Sequence, residues 1–339
     1  MRKHVGAALT CAGAVIGAGF ASGREIVSFF TRYGGDSWWI ILLACAMMTG
    51  LCWLCMRRAV SSGAQNGWHR MLDGNGTGAR ICMTVLLSLS GGAMTAAAGE
   101  LAALSWRSEW AYSLGASGTL LAAWALGQTG RRLLTWVSGA LTALLACAML
   151  MAMRYAPEPG GVLLERVADT HALMQGAARA AGYAAMNMAL AISAVCRSAG
   201  ERPHVPSLAF GGMTAVLLYM GNALYLRHPE WLDEPFPIVQ ALRCFGTGGF
   251  RVSILLLWLA VLTSLTAVLR ALDGAAEGVV HHPAWRAALV WCAVLAAARM
   301  GFAGIVNRLY APAGALCLLL VFAPMLLSEI PNCRAERNA

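Results

Sequence analysis

A series of long apolar runs is the feature that most limits what this chain can fold into. A helix needs about 20 apolar residues to cross roughly 30 Å of hydrocarbon, and ten runs near that length follow one another along the 339 residues. They lie at about 4–31, 38–57, 81–104, 110–127, 132–153, 171–196, 206–226, 252–270, 285–302 and 308–328. The sequence therefore predicts an all-α polytopic membrane protein whose single transmembrane domain takes up residues 1–339.

The composition excludes several other classes of protein. Of all residues, 59% are hydrophobic and 12% are charged, which is about half the roughly 25% charged share of a soluble domain. This excludes a soluble enzyme, a disordered chain and a nucleic-acid-binding domain. No HExxH or GxSxG motif indicates an enzyme, and the cysteines lack the paired spacing of a zinc site. We therefore expect no enzyme activity, no nucleic-acid partner and no cofactor other than a coupling ion.

Basic residues between the runs predict how the chain crosses the bilayer. With the N-terminus in the cytoplasm, 14 of the 25 Lys and Arg residues fall in inner connections and 9 in outer ones, while Arg24 and Arg179 lie within runs. Cytoplasmic loops carry the excess of basic residues, and the short connection 130–132 is the best local example. Both termini are therefore predicted to be cytoplasmic, with the protein in the plasma membrane.

The start of the chain has two interpretations. Arg2 and Lys3 before an apolar run resemble the beginning of a signal peptide. However, the polar segment 21–25 interrupts that run and the helical pattern then resumes, which favours an uncleaved first span.

The first run carries four glycines, at positions 13, 17, 19 and 23. Each weakens a helix by up to about 1 kcal/mol relative to Ala, and an unwound backbone at membrane depth is tolerated only where it lines a cavity or is buried in protein. The alternative is close helix packing, because Gly13 and Gly17 have GxxxG spacing. Arg24 and Glu25, directly after the glycines, favour a break in the helix.

The sixth run repeats part of this pattern. Small residues surround Gly182 within 178–189, with Arg179 and Asn187 at membrane depth. Ten spans divide into two halves of five, and an odd number of spans in each half gives the halves opposite orientations. Interrupted helices at matching positions indicate inverted repeats, so we expect repeats at approximately 4–153 and 171–328 with helices 1 and 6 unwound.

A longer motif surrounds the first glycines. It reads Gly17-Ala18-Gly19-Phe20-Ala21-Ser22-Gly23-Arg24-Glu25-Ile26, followed by Phe29-Phe30 and Gly34-Gly35. This motif resembles the start of the YkvI-like membrane proteins, a family similar to the amino acid–polyamine–organocation superfamily, whose members share the leucine-transporter-type fold. The resemblance extends over essentially the whole chain. It implies ten helices in two inverted repeats, with helices 1 and 6 unwound at the substrate site.

The resemblance also implies a sodium site. Sodium-coupled members of this fold carry a small residue and then Thr-Ser in helix 8, and this chain has Ala260-Val261-Leu262-Thr263-Ser264. The matching carbonyls of the first span are those of Gly13 and Ile16. The alternative is that the hydroxyls make ordinary hydrogen bonds to their own helix. Phe20 stands where the fold's second sodium site has Asn, which argues against that second site.

Four charged residues within runs are candidates for gating or coupling. Glu100 is a functional candidate because ionisable groups in the bilayer are expensive, although its place near the outer end also suits a snorkelling carboxylate. Arg24 and Glu25 are expected either to form an outer gate or to pair with each other. Arg179 is expected to face Glu100 or an acid of the outer connection 227–251, which caps the outer vestibule or is a surface loop.

Together these features predict a secondary active transporter of an amino acid or similar small organic solute, working by alternating access around broken helices 1 and 6. The substrate is expected to contact Gly17, Ala18, Gly19, Gly91, Tyr183 and Asn187. A ligand-sensing membrane receptor of the same fold, without net transport, is the alternative. The identity of the substrate, sodium or proton coupling, the direction of transport and the oligomeric state do not follow from the sequence.

Overall fold

The fold is described by a computed structural model that covers residues 2–63, 68–72, 76–106, 108–128, 131–155, 170–200, 202–277 and 279–328. All regular elements within these ranges are helical. The α-helices are α1 (Arg2–Val15), α2 (Ala18–Ser22), α3 (Arg24–Phe29), α4 (Ser37–Ser61), α5 (Trp68–Met71), α6 (Gly76–Ser105), α7 (Ala111–Gln128), α8 (Arg131–Tyr155), α9 (Thr170–Ser198), α10 (His204–Arg227), α11 (Pro237–Arg243), α12 (Gly246–Ala276), α13 (Pro283–Ala298), α14 (Phe302–Gly304) and α15 (Tyr310–Cys317).

The ten predicted spans each fall on a helix or on consecutive helical segments of the described chain. Five stretches are long and apolar enough to cross a membrane by length and composition: Thr31–Ser61, Gly76–Ser105, His204–Arg227, Gly246–Ala276 and Phe302–Ser328. The prediction of an all-α membrane protein is confirmed at this level. The count of ten crossings and the inverted repeat remain predictions.

The first span is broken in two places. At Gly17 the backbone is extended (φ −85°, ψ −171°), which separates α1 from α2. At Gly23, between α2 and α3, φ is +83°, a left-handed conformation that glycine adopts without steric cost. The side chain of Tyr225 occupies the space where a Cβ of residue 23 would lie. Both the backbone conformation and the packing therefore require glycine at position 23.

The sixth span is not broken, and the prediction that helix 6 is unwound is wrong. Helix α9 runs without interruption from Thr170 to Ser198. A Cβ added to Gly182 would lie 3.2 Å from the carbonyl oxygen of Ala311, and a Cβ added to Gly314 would collide with the carbonyl of Gly182. The small residues of this span therefore allow α9 and α15 to approach closely, as at other membrane helix interfaces.

The irregular helix is instead the tenth. Two π-helical segments, Ile305–Leu309 and Leu318–Phe322, interrupt its α-helical hydrogen bonding. Pro312 and Pro324 follow these segments, and each lacks the N–H that would bond to the carbonyl four residues earlier. Such bulges absorb a missing helical hydrogen bond, so the two prolines account for the irregularity.

Two groups of helices enclose the broken first span. Helix α9 packs against α1, α4 and α15, whereas α6 packs against α7, α12 and α13. The short helix α2 contacts α11, α12 and α6. The break in the first span therefore faces the second group, while α1 is held by the first.

Candidate functional site

The break at Gly17 interrupts the backbone hydrogen bonding of the first span. The N–H of Gly17 donates to Val15 O at 2.7 Å, so it does not serve Gly13, its acceptor in a regular α-helix. The first helical hydrogen bond of α2 is donated by Ala21 N–H to Gly17 O at 2.9 Å. The carbonyl oxygen of Ile16 therefore accepts no hydrogen bond of the α2 helix. Gly13 and Ile16 are the two first-span carbonyls that the resemblance implies as sodium ligands.

The eighth span lies directly beside this break. A Cβ added to Gly17 would lie 3.4 Å from Ser264 Oγ and 3.5 Å from Met94 Cε. The structure therefore brings Gly17 and Ser264 together, from helices that are far apart in the sequence. No hydrogen bond of the Ser264 hydroxyl is present in the described part of the chain.

Thr263 behaves differently from its neighbour. Its hydroxyl lies 3.0 Å from Leu259 O and 3.1 Å from Ala260 O, which are the bonds to its own helix that the alternative interpretation expects. An oxygen that donates one hydrogen bond still has lone pairs for a cation. The sodium assignment of Gly13, Ile16, Ala260, Thr263 and Ser264 stays a prediction.

An apolar pocket of the described chain opens at the break. Ile16 and Ala21 of the first span line one side of it. The remaining lining residues come from α8, α11 and α12: Leu141, Leu145, Ala148, Ile238, Leu242, Ser253, Leu256, Leu257 and Ala260. Ser253, the polar side chain among them, donates to Phe250 O at 2.7 Å. The pocket is therefore lined mainly by apolar side chains, and backbone N–H and C=O groups of the first span lie at its edge.

The pocket also shows what the sequence prediction missed. The contribution of α8 and α11 was not expected, because a leucine of an apolar run carries no signal of a binding role. Ile16 and Ala260, predicted as ion ligands, both lie in the lining.

Among the six predicted substrate residues, three lie at the break itself. Gly17 forms it, Ala18 begins α2, and Gly19 lies in the first turn of α2. A Cβ on Gly19 would collide with the carboxyl group of Glu25, so the Glu25 side chain covers this part of the backbone.

The other three predicted substrate residues have packing or helix-internal contacts. Tyr183 is fully buried, with its ring centroid 5.0 Å from that of Phe29 and 4.9 Å from that of Phe30. Asn187 donates from Nδ2 to Tyr183 O at 3.1 Å. A Cβ on Gly91 would lie 2.9 Å from Val294 Cγ2, which places this glycine at a helix–helix contact. A substrate role for these residues stays a prediction.

Arg24 links the first span to the connection 227–251. Its Nη1 donates to the carbonyls of Leu232 and Glu234, both at 2.8 Å. No ion pair joins Arg24 to Glu25 in the described chain, and the two side chains have separate surroundings. The loop before α11 is therefore hydrogen-bonded to α3, and whether it caps a vestibule or is a surface loop stays a prediction.

Arg179 and Glu100 do not meet. Arg179 donates to Ser28 O at 3.2 Å and lies 6.0 Å from the centre of the Tyr33 ring. Glu100 accepts a hydrogen bond from Phe302 N–H at 3.1 Å, where the tenth helix begins. Of the two partners expected for Arg179, neither Glu100 nor an acid of the connection 227–251 forms an ion pair with it in the described chain. Glu100 instead caps a helix start.

Unpartnered polar atoms concentrate around α3. Five buried side-chain nitrogen or oxygen atoms of the described chain have no hydrogen-bond partner, and four of them belong to α3 or to residues that touch the first span. These four are Arg24 Nε, Glu25 Oε2, Tyr183 Oη and Tyr225 Oη. Because buried polar atoms are nearly always satisfied, this concentration makes the surroundings of α3 a candidate functional site. The sequence analysis did not single out Tyr225.

Comparison with known proteins adds no further identification: the chain matches no protein-family model and no curated protein.

Proposed function

We propose that this protein is a secondary active transporter of an amino acid or similar small organic solute. The observation that carries the proposal is the first span, which is interrupted at Gly17 next to an apolar pocket. A broken membrane helix is the usual binding element of transporters, because its ends present free backbone groups at membrane depth. The chain is proposed to act in the plasma membrane with both termini cytoplasmic.

The packing of the helices supports a repeat of five plus five spans. In such a repeat each helix pair has a counterpart five spans further along the chain. The contact of α4 with α9 corresponds to that of α10 with α1, and the contact of α7 with α12 corresponds to that of α13 with α6. The contact of α8 with α1 likewise corresponds to that of α15 with α9. The proposed repeat differs from the pattern that the resemblance implies, because α9, the sixth span, is continuous from Thr170 to Ser198.

The character of the pocket supports an apolar solute. Its walls are leucine, isoleucine and alanine side chains from four helices, and such surfaces bind hydrocarbon while a few polar groups set orientation. We propose that the carboxylate of the solute lies at the backbone of Gly17 and Gly19 and that its side chain enters the pocket. An α-amino acid with an apolar side chain, such as L-leucine, has both parts. In the arrangement seen here the pocket has room for little more than a water molecule, so it would have to widen to admit the side chain.

Sodium is the proposed coupling ion at the second part of this site. The carbonyls of Gly13 and Ile16, together with the adjacent Ser264, support this proposal. These are hard oxygen ligands without charge, of the kind that a small hard cation prefers. The hydrogen bonds of Thr263 to its own helix favour the packing alternative for that residue.

Uptake into proteoliposomes tests the function directly. We expect saturable uptake of radiolabelled L-leucine, and a rise in the melting temperature of the purified protein with L-leucine, because a ligand of the native state stabilises it. Empty liposomes and the Gly17→Val variant are the controls. Binding of L-leucine without flux in either direction would identify a receptor instead. If L-leucine neither bound nor crossed the membrane, the proposed substrate class would be contradicted.

A further inference from the structure

We propose that Glu25 is a proton-binding site of this protein: its carboxyl group is protonated in the closed arrangement seen here and releases the proton to water when the first span opens. The inference rests on the proposed transport function for its coupling role, whereas protonation itself is measured independently.

The surroundings of Glu25 argue against a free carboxylate. The residue is 5% exposed, and its Oε2 atom has no hydrogen-bond partner among the residues that the structure describes. An ionised carboxylate is costly to bury unless it is paired and hydrogen-bonded, and it otherwise becomes neutral. Binding a proton removes the charge without requiring any other group to move.

No positively charged side chain of the described elements around α3 forms an ion pair with Glu25. The elements packed against α3 carry the arginines at positions 32, 179, 197, 227 and 308 and His204, and α3 itself begins with Arg24. The side chains of Arg197, His204 and Arg227 are exposed. Arg24 binds the carbonyls of Leu232 and Glu234, Arg32 pairs with Asp233 at 3.1 Å, and Arg179 binds Ser28 O. Arg308 is exposed at the surface. No salt bridge to Glu25 occurs within the described chain.

The titratable groups that face Glu25 are tyrosines. Tyr183 of α9 and Tyr310 of α15 lie within electrostatic range of its carboxyl group, while Tyr225 of α10 lies against Gly23. Within the described ranges the hydroxyls of Tyr183 and Tyr225 have no hydrogen-bond partner, whereas Tyr310 Oη lies 3.4 Å from Ser90 Oγ. These hydroxyls are neutral, so none of them balances a carboxylate charge.

The packing favours a proton over a larger cation. The carboxyl group of Glu25 lies directly on the backbone of Gly19, and Glu25 is not among the residues that line the apolar pocket. An ammonium group or a metal ion needs room beside the carboxylate, whereas a proton needs none.

The position of Glu25 connects protonation to the proposed substrate site. Gly19 and Glu25 flank the left-handed Gly23, so a change in the angle between α2 and α3 moves the carboxyl group away from Gly19. When the first span opens to one side of the membrane, Glu25 would release its proton to the water there. When the span opens to the opposite side, Glu25 would bind a proton from that water before the site closes again. One proton would cross the membrane in each cycle, in addition to any sodium ion bound between Gly17 and Ser264.

Infrared spectroscopy tests the protonation without any substrate. In the purified protein in lipid nanodiscs at neutral pH, we expect a C=O stretching band of a buried protonated carboxyl group. The band should disappear in Glu25→Gln, which keeps the shape of the side chain, and persist in Glu230→Gln, which changes an exposed carboxylate. Loss of the band in Glu100→Gln instead, or no such band in the wild type, would overturn the proposal.

Flux measurements test the coupling. An inward proton gradient should drive accumulation of L-leucine in wild-type proteoliposomes, and Glu25→Gln should lose this accumulation while it retains exchange of internal for external L-leucine. Full gradient-driven accumulation by Glu25→Gln would overturn the proposal. If the wild type moves no L-leucine but the Glu25 infrared band is present, the proposed transport function fails while the proton site stands.

Discussion

The carboxyl group of Glu25 folds back onto the backbone of Gly19, where it occupies the space that a Cβ of residue 19 would need. Six positions separate the two residues, and the left-handed turn at Gly23 brings them together. This contact places an acidic side chain at the same backbone segment that the glycine pattern marks as a binding element. Any ligand that reaches Gly19 must displace or accommodate Glu25.

Gly17→Val is expected to abolish ligand binding without unfolding the protein. The backbone of Gly17 has φ of −85°, which any residue can adopt, but the methyl groups of valine would fill the break between the first span and Ser264. Thermal-shift titration with L-leucine and gel filtration measure binding and folding separately. Gly17→Ala is the graded control, because its Cβ would be 3.4 Å from the nearest atom. A valine variant that aggregates would favour the helix-packing interpretation of this glycine.

Gly314→Ala is expected to destabilise the protein by about 1–3 kcal/mol, the usual cost of overpacking a tight contact. The added Cβ would collide with the carbonyl of Gly182, a backbone atom that cannot rotate away. Urea unfolding followed by tryptophan fluorescence measures the change. The matched control is Gly212→Ala, a helical position with no atom within 4 Å of an added Cβ, which should be neutral or stabilising by up to about 1 kcal/mol. Equal effects at the two sites would show that α9 and α15 do not pack closely.

Thr263→Val combined with Ser264→Ala is expected to abolish any effect of sodium on the affinity for L-leucine. The pair of substitutions keeps approximate shape and removes two oxygen ligands, while affinity without sodium should change little. Because coupling between two ligands is reciprocal, the same variant should bind sodium more weakly. Isothermal titration with and without sodium chloride, with potassium chloride as the salt control, makes the comparison. Single substitutions then separate Ser264, which faces Gly17, from Thr263, which bonds to its own helix.

Arg24→Met is expected to loosen the loop that precedes α11. The substitution removes two hydrogen bonds to the carbonyls of Leu232 and Glu234, each contributing about 1.5–3 kcal/mol when the donor is charged. Hydrogen–deuterium exchange should then rise around residues 228–236. Arg32→Met breaks an exposed ion pair with Asp233, of a kind that contributes about 0–1 kcal/mol, and should leave exchange there nearly unchanged.

Two native cysteines report the orientation of the chain. Cys244 is exposed between α11 and α12, in the connection predicted to be outside, and Cys333 lies near the C-terminus, which is predicted to be inside. In intact cells, a membrane-impermeant maleimide should label a variant that retains only Cys244 and should spare one that retains only Cys333. The opposite labelling pattern would invert the predicted topology.

The sequence by itself determined where the helices are and that the first span is interrupted. Apolar runs of membrane-spanning length make a helix the available structure, because a lipid-exposed backbone must satisfy its own hydrogen bonds. The glycines at 17 and 23 indicated the interruptions, because glycine lowers the stability of a helix and adopts backbone conformations that other residues avoid. Such local properties can be predicted from the residues of one segment alone.

Tertiary structure alone decided what the small residues of the sixth span do and where the charged side chains lie. Gly182 and Gly17 look alike in sequence, yet Gly182 packs on the backbone of α15 while Gly17 interrupts its helix. Arg179 was expected to face Glu100 or an acid of the connection 227–251, but it donates to Ser28 O, while Glu100 accepts from Phe302 N–H. The physical reason is that packing and pairing depend on which distant segments become neighbours, and no single segment contains that information.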